Sequence, residues 1–340
     1  MRRYESLIFE LSQPGRQGYS LPPAEVTTPH QLDAALLRGN ATILPQVSEL
    51  DCVRHYTNLS QLNFGVESGF YPLGSCTMKY NPKINDELAT LPGFSGLHPL
   101  SDIEDAQGTL AIYYETSQML ATVCGLEEFS MNPYAGAHGE LTGLMIMREY
   151  HEKRQDFKRT KILVPDSAHG TNPASAAVCG LEVVEVASNP DGTVNLDSLK
   201  QHLNDEVAGI MLTSPNTLGM YETDILEIAR LVHDCGGLLY YDGANLNALL
   251  GYARPGDMGF DVVHLNLHKT FSTPHGGGGP GSGPVGVNKK LQPFLPSPRI
   301  VKKENRYHIE KNDHSIQISS FYGNMTVVIR AYIYLKTLGK

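Results

Sequence analysis

From residue 102 onward, the hydrophobic positions follow two spacings, one typical of helices and the other typical of buried strands. Apolar residues three or four apart predict helices over Asp105–Cys124 and Gly139–Arg154. Short apolar runs bounded by turn residues predict strands, and helical segments separate most of these strands. The strands are predicted at Lys161–Val164, Glu182–Val186, Ala208–Leu212, Gly237–Tyr241, Val262–Leu265 and Pro284–Val287, and the later helices after Gly170 and at Leu196–Leu203, Glu222–Cys235 and Asn324–Leu338. This alternation predicts an α/β fold, a mostly parallel sheet with helices on both faces.

The first 100 residues have a different pattern, with many prolines, glycines and short turns. A helix is predicted only near Glu49–Leu62. An irregular segment of this length is too long for an ordinary loop, so we expect it to wrap over a partner surface or to line a site. The predicted organisation is therefore an N-terminal arm, residues 1–100, followed by a large α/β domain, residues 101–340.

Composition and charge narrow the class of protein. The 340 residues are 41% hydrophobic and 19% charged, which is typical of a globular chain. The net charge of −9 argues against nucleic acid as a partner. The five scattered cysteines contain no CxxC pair and fit a reducing compartment. No apolar run is long enough to cross a bilayer, and no signal peptide follows Met1, so we expect a cytoplasmic protein without a membrane partner.

One lysine has neighbours that suggest a specific chemistry. Lys269 follows the predicted strand Val262–Leu265 and precedes four consecutive glycines, Gly276–Gly279, while Asp242 ends the previous strand. A lysine amine can form a Schiff base with pyridoxal phosphate, and a carboxylate can pair with the protonated pyridine nitrogen of that cofactor. Each residue alone has a simpler interpretation, a surface lysine or a turn aspartate. Together they favour a pyridoxal phosphate site.

A second segment suits the phosphate group of such a cofactor. Gly136, Ala137 and His138 precede or open a predicted helix, where small residues let backbone N–H groups approach an anion. By itself this is weak support, because glycines before helices are usually turns. His268, beside the lysine, can also reach a phosphate.

Other polar residues follow predicted strands, where ligands of parallel sheets bind. The imidazole of His169 can stack on a cofactor ring or relay a proton, or it can simply satisfy a loop backbone. Asn216 follows another strand. Ser75 and Cys76 lie in a loop bounded by glycine and proline, which chemistry alone interprets as an ordinary polar turn.

Five long segments together resemble the glycine cleavage system P-protein family, and within it the second subunit of the two-subunit bacterial form. The resemblance covers nearly the whole chain and rests on Pro72–Lys79, Asp166–Ser175, Asp242–Asn245, Arg254–Asp257 and His264–Gly279. The family consists of fold-type I pyridoxal phosphate enzymes. The resemblance therefore implies that fold and that cofactor.

The resemblance also implies roles for individual residues. Lys269 matches the Schiff-base lysine, Asp242 matches the partner of the pyridine nitrogen, and His169 matches the imidazole stacked on the ring. The remaining matches are the phosphate-binding turn (Gly136, Ala137, His138), further cofactor contacts (Asn216, Ala244, His268) and a segment close to the substrate (Ser75, Cys76). Family members usually have glutamine in place of His138. Because imidazole can also donate a hydrogen bond to phosphate, we expect cofactor binding to persist.

The implied activity is decarboxylation of glycine, with transfer of the aminomethyl group to the lipoyl group of H-protein. The implied partners are glycine, P-protein subunit 1 and lipoylated H-protein, in a heterotetramer. Two alternatives stay open: another fold-type I enzyme, such as an aminotransferase or a β-eliminating lyase, and an inactive structural subunit. The second arises because the sequence ends at Lys340, before the small C-terminal domain that family members carry, so we expect a truncated chain.

Overall fold

The computed structural model describes residues 6–20, 22–23, 25, 33–40, 42–70, 78–274, 281–311 and 316–339. The chain divides into two compact units, residues 1–72 and 73–340. The first unit contains one α-helix among its described residues, α1 (Glu49–Ser60). Ser48 caps it, since its hydroxyl accepts a hydrogen bond from the Asp51 N–H at 3.1 Å. The Asp51 carboxylate pairs with Arg16 at 2.9 Å.

The second unit contains the remaining helices and strands of the described chain. In order they are α2 (Lys83–Ala89), α3 (Pro92–Ser95), α4 (Gln107–Cys124), β1 (Glu128–Ser130), α5 (Gly136–Lys153), β2 (Lys161–Pro165), α6 (Thr171–Val178), β3 (Glu182–Val186), α7 (Leu196–His202), β4 (Val207–Leu212), α8 (Ile225–Asp234), β5 (Leu238–Gly243), β6 (Val262–Leu265), β7 (Val285–Val287), β8 (Arg299–Lys303), β9 (Arg306–Glu310) and α9 (Met325–Leu338). Within the described ranges, no helix combines the length and apolar character that crossing a membrane requires.

Seven strands form one sheet in the order β1-β7-β6-β5-β4-β2-β3. The five strands β2 to β6 run parallel, and β7 is antiparallel to both of its neighbours. Strands β8 and β9 form a separate antiparallel hairpin. The predicted mostly parallel α/β sheet is therefore confirmed.

Helices cover both faces of the sheet, and side chains alternate between two cores. Tyr241 belongs to the core that contains residues of α4, α7, α8 and α9. Its neighbour Tyr240 belongs to the other core, which contains residues of α5 and α6. Helix α5 lies close to the sheet at Gly143, where a Cβ atom would approach the Tyr240 ring to 2.3 Å. The helix therefore needs glycine at this position.

Several element boundaries differ from those predicted. Helix α5 begins at Gly136 instead of Gly139, and the Gly139 N–H donates to the Ala135 carbonyl at 2.9 Å. Helix α8 begins at Ile225, three residues later than predicted, and the Glu222 carboxylate before it accepts the Val194 N–H at 2.8 Å. Lys83–Ala89, inside the predicted arm, forms α2, which contacts α9 through an Asp86–Arg330 ion pair of 2.5 Å.

A buried carboxylate joins the elements at the amino-terminal edge of strands β5 and β6. Asp261 is 2% exposed and accepts hydrogen bonds from the Leu239 N–H at 2.9 Å and the Asn288 side chain at 2.6 Å. His233 and Lys290 lie 2.8 and 3.1 Å from its oxygens. Burial raises the pKa of this carboxyl, but the His233 hydrogen bond and the Lys290 charge outweigh burial and hold the pKa below its usual range.

Replacing Asp261 with asparagine is expected to lower the free energy of unfolding by about 2 kcal/mol at neutral pH, because the partly exposed His233 and Lys290 side chains lose the buried carboxylate that they contact. A pKa lower in the folded state stabilises the fold above the ordinary value of 3.8, and this stabilisation is lost as the pH falls through the folded value. Urea unfolding between pH 3 and pH 7 should therefore show a difference from wild type that shrinks toward acid. Asp205→Asn, at an exposed ion pair, is the control and should change little. An equal effect of both substitutions would contradict this assignment.

Candidate active site

A cavity of about 520 Å³ lies at the carboxyl ends of the parallel strands. Residues that follow β2, β4, β5 and β6 line it, together with the first turn of α5. Eight of the residues predicted to bind the cofactor face this cavity: Gly136, Ala137, His169, Asn216, Asp242, Ala244, His268 and Lys269. The fold therefore brings together residues that are up to 133 positions apart, from Gly136 to Lys269.

Lys269 sits in a short turn after β6, with 9% of its surface exposed. Its backbone N–H donates to the Asn266 carbonyl at 3.0 Å, and the fully buried Leu267 and Phe271 anchor the turn in the core. Within the part of the chain that the structure describes, the side-chain amine has no hydrogen bond or ion pair. An amine that faces a cavity and is held by no partner is placed to act as a nucleophile.

Asp242 lies at the end of β5 and is 5% exposed. One carboxylate oxygen accepts the Ala244 N–H at 3.1 Å, and the other accepts the Asn172 side-chain amide at 2.9 Å. His264 Nε2 lies 3.5 Å from the first oxygen without forming a hydrogen bond to it. A buried carboxylate with only neutral donors is stabilised by a cation, and a protonated ring nitrogen in the cavity meets that need.

A fully buried tyrosine and histidine support Asp242 from the α5 side of the sheet. The Tyr240 hydroxyl lies 2.6 Å from His264 Nδ1, and both residues are 0% exposed. Burial raises the pKa of the Tyr240 phenol well above its ordinary value, and the charges of Asp242 and Glu140 raise it further. The phenol therefore stays protonated, and its hydroxyl shares a hydrogen bond with Nδ1 of His264.

His169 lies in the turn between β2 and α6 and is exposed to the cavity. Its Nδ1 is 2.8 Å from the Thr171 hydroxyl, which in turn donates to Glu140 at 2.8 Å. These contacts hold the imidazole at the start of α6. The ring is thus positioned beside the cavity, where it can cover one face of a flat ligand.

The first turn of α5 offers an anion site. The Gly139 N–H makes a hydrogen bond of the helix type, so the N–H groups of residues 136–138 have no acceptor within the helix. A Cβ atom at Gly136 would lie 2.5 Å from the Asn266 side-chain oxygen, which explains the glycine. The partial positive charge at the start of this 18-residue helix favours a phosphate.

The His138 imidazole is not brought to this cavity. Its Nδ1 accepts the Tyr134 N–H at 3.2 Å, and its ring stacks on the Tyr134 ring with the centroids 5.9 Å apart. Burial lowers the pKa of His138, and a hydrogen bond with the Ile318 backbone only partly opposes this effect. The structure therefore places the backbone of this turn, and not the imidazole, toward the anion site.

Ser75 and Cys76, predicted to lie near the substrate, are outside the described residues, as is the glycine run Gly276–Gly279. Lys79, which ends the same motif, and the next residue, Tyr80, do lie beside the lysine turn. The Lys79 amine donates to the Thr273 carbonyl, and the Ser272 hydroxyl donates to the Tyr80 carbonyl at 2.8 Å. Lys79 and Tyr80 are therefore attached to the segment that carries Lys269.

Several residues in or just behind the cavity wall were absent from the predicted site, among them Glu140, Thr171 and Asn172. Glu140 is 4% exposed, and Asn172 is fully buried and donates to both Glu140 and Asp242. The signal in the sequence was a carboxylate one helical turn after Gly136, on a helix that is otherwise apolar on that side. The role of this carboxylate becomes visible only in the structure, where α6 packs against α5 and its side chains donate hydrogen bonds to Glu140.

The fold and the cavity define a class of protein. The family model for aminotransferase class-V matches residues 144–316, and this is a family of pyridoxal phosphate-dependent enzymes. A solved structure of glycine decarboxylase (P-protein) of the glycine cleavage system, in inhibitor-bound form, superimposes with a TM-score of 0.70 at 22% identity. The superposition covers 91% of this chain and 71% of that one. A sphingosine-1-phosphate lyase from Burkholderia pseudomallei has a TM-score of 0.61 at 13% identity, covering 93% of this chain and 72% of that one.

Two curated relatives narrow the class. A probable glycine dehydrogenase (decarboxylating) subunit 2 from Caldanaerobacter subterraneus subsp. tengcongensis is 60% identical over 100% of this chain and 71% of its own length. The protein of the same name from Alkaliphilus oremlandii is 59% identical over 99% of this chain and 70% of its own length. The chain belongs to the family of glycine dehydrogenase (decarboxylating) subunit 2. The predicted family and fold type are thereby confirmed.

The cavity fits the cofactor of this class better than it fits a metal ion. A metal site needs at least three His, Cys, Asp or Glu side chains with their ligand atoms close together. Among the described residues only Glu140, Asp242 and His264 meet this condition, with ligand atoms within 4.8 Å of one another. The Asn172 amide, however, donates to both carboxylates, where a metal ion would need their lone pairs. An unpaired, buried Asn266 oxygen and the open first turn of α5 add the polar contacts that a phosphorylated ring requires.

Proposed function

We propose that this chain is the pyridoxal phosphate-binding subunit of an enzyme that decarboxylates glycine and transfers the aminomethyl group to a lipoyl group on H-protein. The observation that carries the proposal is the placement of Lys269 and Asp242 on one cavity, at the ends of the adjacent strands β6 and β5. Relatives at 55–60% identity are named for glycine decarboxylation, which supports the choice of glycine as substrate.

Different residues of the cavity would contact different parts of the cofactor. Lys269 would attach it covalently, Asp242 would hold the proton on its ring nitrogen, and His169 would cover one ring face. The first turn of α5, with Gly136 and Ala137, would bind its phosphate. Pyridoxal phosphate, when bound, supplies an electron sink for the electron pair released when a bond at the α-carbon of glycine breaks.

The Lys269 amine is the first candidate for proton transfer. Lys269 lines the cavity, and its Nζ, when not bonded to the cofactor, could give or take a proton there. His169 is the second group able to carry a proton. The buried walls around Lys269 and Asp242 exclude water from their contacts, which strengthens the charge interactions inside the cavity.

The proposed partners are the related subunit 1 and lipoylated H-protein, with a cytoplasmic location and a heterotetrameric assembly as predictions from the family. The name subunit 2, carried by the relatives, supports a partner subunit. In the first compact unit, large apolar side chains are exposed, including Ile43 at 89% and Phe64 at 80%. Exposed apolar surface of this kind supports association with another protein.

The decisive experiment measures exchange of labelled bicarbonate into the carboxyl group of glycine. The chain is mixed with subunit 1, lipoylated H-protein and pyridoxal phosphate, and we expect exchange that needs every component. Omitting the chain is the control. Formation of a keto acid in place of exchange would indicate an aminotransferase. A complete mixture that binds the cofactor but catalyses neither reaction would contradict the proposed activity and favour a structural role.

A further inference from the structure

A second carboxylate lies buried behind Asp242. Glu140 is 4% exposed, one turn into α5, and accepts hydrogen bonds only from neutral side chains of α6. The donors are the Thr171 hydroxyl at 2.8 Å, the Asn172 amide at 3.1 Å and the Ser175 hydroxyl at 3.2 Å. Three donors and no acceptor suit an ionised carboxylate. No cation pairs with Glu140 in the described part of the chain.

One amide group joins this carboxylate to Asp242. Asn172 is 0% exposed, and its Nδ2 lies 3.1 Å from a Glu140 oxygen and 2.9 Å from an Asp242 oxygen. An amide nitrogen carries two hydrogens, so both are used in this bridge. The opposite orientation would place the amide oxygen against two carboxylates and is excluded by repulsion. The bridge therefore fixes the distance and the orientation between the two acids.

Among the described residues, no lysine or arginine forms an ion pair with either buried carboxylate. The phenol of Tyr240 is neutral, and His264 Nε2 approaches Asp242 only to 3.5 Å. Ligand atoms of Glu140, Asp242 and His264 all lie within 4.8 Å of one another, so Glu140 still acts electrostatically on whatever contacts Asp242. A cationic ring nitrogen at Asp242 would neutralise part of this charge, whereas a neutral ring atom would not.

We propose that Glu140 is a positioning residue that acts through Asn172: it holds the Asp242 carboxylate in place and adds a second negative charge, so that the site selects a protonated ring nitrogen. The inference rests on the proposed function, because it concerns the ring that Asp242 would hold. It assigns to Glu140 no contact with substrate or cofactor atoms. It also explains why α5 carries a buried acid in a cavity that must bind an anionic phosphate at the start of the same helix.

The test compares two ligands that differ at one ring position. Pyridoxal phosphate and an analogue with carbon in place of the ring nitrogen are titrated into wild type and into Glu140→Gln. The dissociation constants are followed by protein fluorescence. We expect Glu140→Gln to weaken pyridoxal phosphate binding about tenfold, the effect of roughly one pKa unit of lost charge interaction, and to leave the analogue unchanged within twofold. The pH midpoint of the visible band of the bound cofactor should fall as well, since a nearby negative charge is lost.

Two further variants separate the effect of the Glu140 charge from an effect on the folded structure. Glu152→Gln, on the exposed side of the same helix, removes a charge far from the cavity and should leave both ligands unaffected. Asn172→Ala keeps both acids but removes the bridge, and it also should weaken pyridoxal phosphate more than the analogue. Thermal unfolding of the apoprotein shows whether Glu140→Gln folds. If it does not fold, the comparison of the two ligands is made with Asn172→Ala.

The outcomes are distinct. Equal weakening of both ligands by Glu140→Gln would show a merely architectural role and overturn the inference. No weakening of either would show that the Glu140 side chain does not act on the bound ring, and would also overturn it. If wild type fails to bind pyridoxal phosphate at all, the proposed function fails first. Selective weakening of the nitrogen-containing ligand supports the assignment.

Discussion

Replacing Lys269 with alanine is expected to remove covalent attachment of pyridoxal phosphate and to lower glycine–bicarbonate exchange about 10⁴-fold. In the proposed function the lysine amine would serve twice, as the group that attaches the cofactor and as a proton carrier, and alanine supplies neither. The measurement is an absorbance spectrum of the protein with added cofactor, followed by the exchange assay. The visible band should be missing after gel filtration of the variant.

Lys158→Ala is the control for this substitution. Lys158 is exposed and paired with Asp205 at 2.6 Å, far along the chain from the lysine turn. The control should keep the visible band and full exchange. A Lys269→Ala protein that retained the band through gel filtration would place the attachment at another amine and remove the basis of the site assignment.

Replacing Asp242 with asparagine is expected to lower exchange about 10²-fold while the chain stays folded. Asparagine keeps the size of the side chain and an oxygen able to accept the Ala244 N–H, but it cannot stabilise a proton on the ring nitrogen. The ring is then a weaker electron sink. Rates measured at saturating glycine, together with the absorbance spectrum across pH, separate this effect from loss of binding.

Asp234→Asn provides the comparison, because that acid is exposed on α8 and pairs with Arg230 at 2.6 Å. It should leave the exchange rate unchanged. If Asp242→Asn also exchanged at the wild-type rate, the pairing of Asp242 with the ring nitrogen would be wrong, even if the cofactor were bound.

The parts of the site that lie at strand ends were predictable from the sequence. Strand β6 matches its predicted bounds, Val262–Leu265, and β5 differs from its predicted bounds by one or two residues at each end. The rule that ligands bind at the carboxyl ends of parallel strands predicts that residues following both strands meet at one edge of the sheet. The strand pattern and this rule together predict that Asp242 and Lys269 lie at one site, and both residues line the cavity.

The residues within helices were harder to predict. Glu140 and Asn172 lie 32 positions apart on α5 and α6, and polar residues in helices usually face solvent. Only the packing of these two helices on one face of the sheet turns both side chains toward Asp242. His138 shows the same difficulty, because its sequence position is at the anion site while its ring stacks on Tyr134.

The pairing of β5 with β6 places Asp242 opposite His264, and the alternation along β5 puts the acid on the same face as Tyr240. A slip of one residue in this strand would carry the carboxylate to the opposite face and expel Tyr240 from its core at the same time. Catalytic geometry and core packing here depend on a single register. A one-residue insertion inside β5 would therefore damage stability and chemistry together.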